Sequence, residues 1–313
     1  MTIQASALGS GEMNGSVSTT HAHYETESVG RECRKLTIKR ILVATDFSDG
    51  SYGALSYAKQ LAKAFNAKIN LLHVIDRDTA STATQSAPDL CERFDLAEAE
   101  LERIGSSLFY DNIACAMVAR SGDIRKVVPE LVRERNIDLL VIGTYGRTGK
   151  GGRKLGSIAE MLLRSLPCPV LTVGAGARSN AYRSAYKHCV LFPTDFSGTA
   201  QPALAYAECL AAHLDGELLL LHIDYGLQIE RKGKALESLA NELTNLKVRK
   251  ECIVRTGIPS DAIVALAIEK RVDFIVMGVH GPDEADKVHN YGTAFDVISK
   301  SKCPVFTLSS IWK

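Results

Sequence analysis

No stretch of about 18 consecutive apolar residues occurs in the 313-residue chain, so no segment is expected to cross a bilayer as a helix. The first 36 residues lack the basic start and apolar core of a secretory signal. They are rich in Ser, Thr and Gly and read as a flexible tail. His21 and His23 within it could touch a metal, but a solvated tail is the simpler reading. Net charge is only +1, so no whole-molecule field draws in nucleic acid or acidic membrane, and neither is expected as a partner. Any charge-based function must be local. None of the eight cysteines forms a Cys-x-x-Cys pair, and no closely spaced ligand set for zinc exists. Several, such as Cys115 and Cys209, lie in apolar stretches. They read as small core hydrophobes in a reducing cytoplasm.

What is present is ordinary in bulk and informative in arrangement. Hydrophobic residues make up 46% and charged residues 23%, as in globular proteins, and the length suits two domains. The chain also repeats itself. The segment 40–65, RILVATDFSDGSYGALSYAKQLAKAF, matches 189–214, CVLFPTDFSGTAQPALAYAECLAAHL. The same offset pairs Asp46 with Asp195 and, beyond these segments, His73 with His222. IDLLVIGTYG at 137–146 then matches VDFIVMGVHG at 272–281, and CPVLTV at 168–173 matches CPVFTL at 303–308. The second copy is shorter, and the loss lies between His222 and Arg255.

Each copy alternates two patterns. Short apolar runs at Ile41–Ala44, Ile69–Val74, Ala114–Ala119, Leu139–Ile142 and Val170–Val173 predict buried strands. Helical spacing predicts helices over 51–66 and near 88–109, 123–135 and 156–166. Strand–helix alternation implies α/β domains with parallel sheets. The expected layout is a tail at 1–36, a first domain at 37–174, a linker at 175–185 and a second domain at 186–313.

In such sheets ligands bind beyond the carboxyl ends of the strands, where strand order reverses. After the fourth strand comes GTYGRTGKGGRKLGS, residues 143–157. Its glycines let backbone N–H groups approach an anion. The helix starting near Gly156 and Ser157 offers unpaired N–H groups and a partial positive charge. Arg147, Lys150, Arg153 and Lys154 add cations. Together these describe a phosphate cradle. The alternative is a glycine-rich surface loop with solvated lysines. The coincidence of strand end, loop and helix start favours the cradle. It is not a Walker A loop, because Gly151 follows Lys150, and no Gly-x-Gly-x-x-Gly follows the first strand.

The spacing Gly143-x2-Gly146-x9-Gly156-Ser157, with TDFS after the first strand and LLHVID at the second, resembles the universal stress protein family. The resemblance covers both copies. It implies an adenine-nucleotide-binding fold in which each domain is a doubly wound, five-stranded parallel sheet in the order 3-2-1-4-5, with helices on both faces. It also implies that two such domains pair through their last strands, here within one chain, with pairing of two whole chains left open. Carried over by position, Ala44, Thr45 and Asp46 would border adenine and ribose, and Val74 would contact adenine. Gly143, Gly146, Gly156, Ser157 and Ile158 would hold the phosphates and ribose, and the charge of Arg147 in the same loop makes it a further candidate for binding. The implied ligand is ATP, alone or with Mg2+. Asp46 has a second reading as the cap of the helix starting near Ser48.

The second copy departs from this pattern. Its loop, GVHGPDEADKVHNYGT at 278–293, keeps Gly278, Gly281 and Gly292 but replaces the basic residues with Asp283, Glu284 and Asp286. A polyphosphate would meet repulsion there, and this half reads as structural or weakly binding. His280 and His289 could complete a cation site, though an exposed polar loop is the plainer reading. His73 and His222 read as core histidines rather than as ligands or bases. Three functions remain open at this level: a nucleotide-dependent regulatory protein, a slow ATPase or self-phosphorylating enzyme with Ser157 as acceptor, and a chaperone-like scaffold. The first copy's loop contains no Glu, Asp or His, which argues against fast phosphoryl transfer.

Overall fold

The computed structural model describes residues 36–76, 89–144, 155–174, 177, 187–197, 200–224, 228–243, 247–279 and 292–309. Residues 1–35 of the expected tail, and all of the expected linker except Ala177, lie outside them. So do Gly146 and Arg147, Lys150, Arg153 and Lys154, and the acidic loop of the second copy with His280 and His289.

The first repeat runs β1 (Arg40–Ala44), α1 (Asp49–Phe65), β2 (Lys68–Ile75), α2 (Leu90–Tyr110), β3 (Cys115–Ser121), α3 (Ile124–Glu134), β4 (Leu139–Gly143), α4 (Ser157–Ser165) and β5 (Val170–Val173). The second runs β6 (Cys189–Pro193), α5 (Ala200–His213), β7 (Glu217–Asp224), α6 (Ile229–Asn241), β8 (Arg249–Thr256), α7 (Pro259–Glu269), β9 (Phe274–Val279), α8 (Thr293–Lys300) and β10 (Val305–Ser309). The shortening of the second repeat falls between β7 and β8, where α6 has 13 residues against 21 in α2.

The ten strands of the described residues form one sheet in the order β3-β2-β1-β4-β5-β10-β9-β6-β7-β8. Each repeat therefore shows the 3-2-1-4-5 order, parallel throughout. Among the described residues the two five-stranded halves of the sheet join at one antiparallel pairing, with Phe306 opposite Leu171. Thr172 donates its hydroxyl to the Val305 carbonyl at 3.1 Å, and Thr307, its counterpart in the second repeat, donates to the Val170 carbonyl at 3.2 Å. Two edges that would each lie open in a lone repeat close each other.

Alternation along the central strands divides the core. Ile41 and Val43 face one layer, formed by α1 and α2 with α5 and α6 of the second repeat. Leu42 faces the other, formed by α3, α4, α7 and α8. Covered on both faces, β1 needs no polar alternation, which is why it reads as a plain apolar run. Each Leu or Ile buried in full here contributes about 1.5–3 kcal/mol. Copy two supplies aromatics at the seam: Phe306 lies 5.5 Å from both Phe274 and Tyr206, and Tyr57 of the first repeat meets Phe274 edge-on at 6.2 Å.

Strand starts are clamped alike in both repeats. Asp138 accepts hydrogen bonds from the backbone N–H groups of Lys39 and Arg40, at 2.9 and 2.8 Å. Asp273, its counterpart, accepts from the N–H of Cys189 at 2.8 Å. Burial pushes the thiols of Cys168 and Cys189 up to about 12 and that of Cys115 up to about 11, so these cysteines stay protonated and weakly nucleophilic. Among the described residues no helix is long and apolar enough to cross a membrane.

Candidate functional site

Strand order reverses between β1 and β4, because β1 leads to β2 on one side and β4 lies on the other. The carboxyl ends of these two strands bound the crevice where ligands of doubly wound sheets sit. Val43 pairs with Val141. The chain then continues on one side into Ala44, Thr45 and Asp46 and on the other into Gly143 and Thr144.

The turn after β1 is built by its own side chains. Thr45 is buried and its Oγ1 accepts the Phe47 N–H at 3.0 Å. Asp46 Oδ1 accepts from the Ser48 N–H at 3.1 Å and from the Ser48 hydroxyl at 2.5 Å. Phe47 sits at φ 62°, in the left-handed region that side chains seldom enter. Its ring stacks on His73 at 4.3 Å, and His73 Nδ1 lies 2.8 Å from the Thr45 carbonyl oxygen.

These contacts correct one expectation. The cap of α1 is Ser48, whose side chain accepts from the Ser51 N–H; Asp46 acts one step earlier, by holding the Ser48 hydroxyl. The local reason is reach. A side chain caps a helix from the residue just before its first turn, and α1 starts at Asp49.

The second repeat forms the same turn. Phe196 has φ 64°, its N–H reaches Thr194 Oγ1 at 3.0 Å, and Ser197 N–H reaches Asp195 Oδ1 at 2.9 Å. His222 is buried, with Nδ1 2.8 Å from the Thr194 carbonyl oxygen. Both histidines thus serve the turns of TDFS, His222 buried and His73 half-buried. His73 points away from the crevice, since Leu72 and Val74 beside it face the α3–α4 layer while its stacking partner Phe47 packs on the α1–α2 layer.

Ala44 and Val74 are half-buried and pack with Leu155 against the α3–α4 layer. They give the crevice an apolar wall. Across it, Thr144 is buried and its N–H donates to the Val173 carbonyl at 3.0 Å. Gly156 is the cap residue of α4 and offers no side chain to the first turn. Gly156, Ser157 and Ile158 are all exposed, so the first N–H groups of α4 face outward with the positive end of the helix dipole. A Cβ placed on Gly156 would lie 3.6 Å from the Thr144 carbonyl oxygen. The two ends of the glycine-rich segment 145–154 are therefore brought together beside the strand switch.

Ala44, Thr45, Asp46 and Gly143 thus stand at the carboxyl ends of β1 and β4, Val74 near the end of the neighbouring β2, and Gly156, Ser157 and Ile158 at the start of α4. Sequence reasoning missed Ser48, Ser51 and Thr144. Ser51 is buried inside α1, with its hydroxyl 2.9 Å from Thr45 Oγ1. A serine on the face that Ala54, Leu55, Ala58, Leu61 and Ala62 make apolar was the available signal.

The sequence profile of the universal stress protein family matches residues 37–174 and again residues 187–308. The chain belongs to the universal stress protein family. A universal stress protein of Synechocystis is 24% identical over 299 residues, covering 86% of this chain and 99% of its own length. It therefore has the same tandem extent. A universal stress protein of Methanocaldococcus jannaschii is 29% identical over 150 residues, or 38% of this chain and 93% of its own. The crystal structure of a universal stress protein from Archaeoglobus fulgidus superposes with a TM-score of 0.68 at 24% identity, covering 86% of this chain and 98% of that one. At that identity the likeness speaks to the tandem universal stress protein fold.

Proposed function

We propose that the first repeat binds ATP and that the protein acts as a nucleotide-dependent regulator, with the second repeat mainly structural. The observation that carries this reading is the meeting of Gly156 and Thr144 beside the strand switch. It sets the exposed start of α4 next to the ends of β1 and β4, with four cations in the short intervening sequence.

The residues suit the ligand. Ala44 and Val74 offer an apolar surface to a purine ring. Asp46 is a half-buried carboxylate able to accept from sugar hydroxyls. The N–H groups of Ser157 and Ile158, with Gly143, Gly146 and Arg147, suit phosphates. Magnesium would arrive on the phosphates, as it does where it is shared with a nucleotide. In the second repeat Val279 stands where Thr144 stands in the first, and acidic residues replace the cations. Two like charges at 4 Å repel by about 1 kcal/mol even in water. Such a site holds a polyphosphate poorly.

Calorimetric titration of the intact protein with ATP tests the reading. One ATP per chain is expected, with binding lost in Gly156→Val. No binding, or two equivalent sites, overturns it. A single-turnover assay with the same samples separates a regulator from a slow ATPase.

A further inference from the structure

The sheet has two outer edges, and they are finished differently. β8 carries Arg249, Lys250, Glu251 and Arg255, and every one of these is ion-paired, to Glu217, Glu208, Lys270 and Glu269 respectively. Edges loaded with charge resist pairing with another strand. β3 carries a single charged residue, Arg120, paired to Glu134 of α3 at 2.7 Å. Among the described residues no strand pairs with its outer side.

Beside that open edge lies an apolar groove of about 460 Å³ between β3 and the end of α2. Met117, Phe109 and Tyr110 are 45%, 77% and 86% exposed, unusual values for such side chains. Met117 rests in a notch left by Gly105: a Cβ there would lie 2.6 Å from the Met117 sulfur. Glu102 lines the same groove, and Glu98 stands one helical turn before it. Both are exposed.

We propose that the outer edge of β3 docks an extended segment of a partner protein in which lysine or arginine alternates with aliphatic residues. Such a segment adds as an eleventh strand, held by main-chain hydrogen bonds. Its cationic side chains turn toward α2, where their stems lie on Met117 and Phe109 and their charges reach Glu98 and Glu102. Its aliphatic side chains turn the other way, beside half-buried Val118. A second copy of this chain fits less well. α2 packs over both β2 and β3, and paired strands lie about 4.8 Å apart. Two-fold pairing of β3 would set the two α2 helices side by side, with Glu98 and Glu102 facing their own counterparts. The inference is independent of the nucleotide reading, because no crevice residue takes part.

Fluorescence anisotropy with the intact protein and a labelled ten-residue peptide of alternating lysine and valine tests it. Binding is expected, at least tenfold tighter than for the glutamate–valine counterpart. Methylating the alternating set of backbone nitrogens that faces β3 should abolish it, and methylating the other set should not. The double variant E98K/E102K, changed only at exposed positions, should reverse the preference between the two peptides. Absence of binding, equal affinity for both peptides, full affinity of both methylated peptides, or an unchanged preference in the double variant would overturn the proposal. So would a wild-type dimer in sedimentation that Met117→Lys dissociates, which would assign the edge to a second copy.

Discussion

A Cβ added to Gly143 would lie 3.0 Å from both the carbonyl carbon and the carbonyl oxygen of Gly50. The end of β4 and the first turn of α1 touch backbone to backbone. Gly143 is therefore a glycine for the sake of packing, whatever it offers a ligand. Gly156 differs, since its nearest described neighbour would be 3.6 Å away. Substitutions at the two positions should part company. Gly143→Ala should lower unfolding stability by about 1–3 kcal/mol through overpacking, seen as a lower urea midpoint. Gly156→Val should keep the fold and lose ATP in calorimetry. Loss of folding in both variants would remove the distinction.

Gly292, the counterpart of Gly156, caps α8, and a Cβ there would meet no described atom within 4 Å. Gly292→Val should leave both the fold and the ATP stoichiometry unchanged. A fall from two nucleotides to one, measured by quantifying the nucleotide released from denatured protein, would show the second repeat to be competent.

Phe306 is fully buried at the seam and touches aromatic rings of β9 and α5. Phe306→Ala should cost about 3–5 kcal/mol. Because both repeats share this core, the loss should appear as a lower midpoint for the whole molecule. Scanning calorimetry that showed only half of the unfolding enthalpy shifting would mean the repeats are energetically separate.

His188 Nδ1 lies 3.5 Å from Asp273 Oδ2. Hydrogen bonding to this carboxylate, with its charge adding, raises the imidazole above its ordinary pKa. A group raised on folding adds stability that is complete below its unfolded value, about 6.5, and is lost as pH climbs through the folded value. The urea midpoint of the wild type should therefore fall as pH rises above about 6.5, relative to His188→Gln, in which that dependence is absent. Parallel pH profiles for the two proteins would refute the assignment.

Much of this was legible in the residue order because it is local. Apolar runs and helical spacing mark β1, β2, β4, β5 and α1 to within two residues, since period and capping act over one or two turns. β3 begins one residue later than its apolar run, at Cys115, although the Ala114 carbonyl already accepts the Ile69 N–H at 2.8 Å. Duplication was legible because two copies of TDFS keep the same side-chain chemistry. The glycine-rich stretch could be placed after the fourth strand, and its counterpart with acidic residues could be told apart, from charge alone.

Other facts depend on residues tens of positions to more than a hundred apart, whose approach is set by strand register and layer packing. Only folding shows that Gly143 must clear Gly50 and that His73 turns toward α1 and away from the crevice. The joining of two five-stranded sheets through Thr172 and Thr307 is of the same kind. Periodicity says which face of a strand is apolar. Which layer that face meets, and which loop ends arrive together at the mouth of the crevice, is settled by close packing of the whole chain.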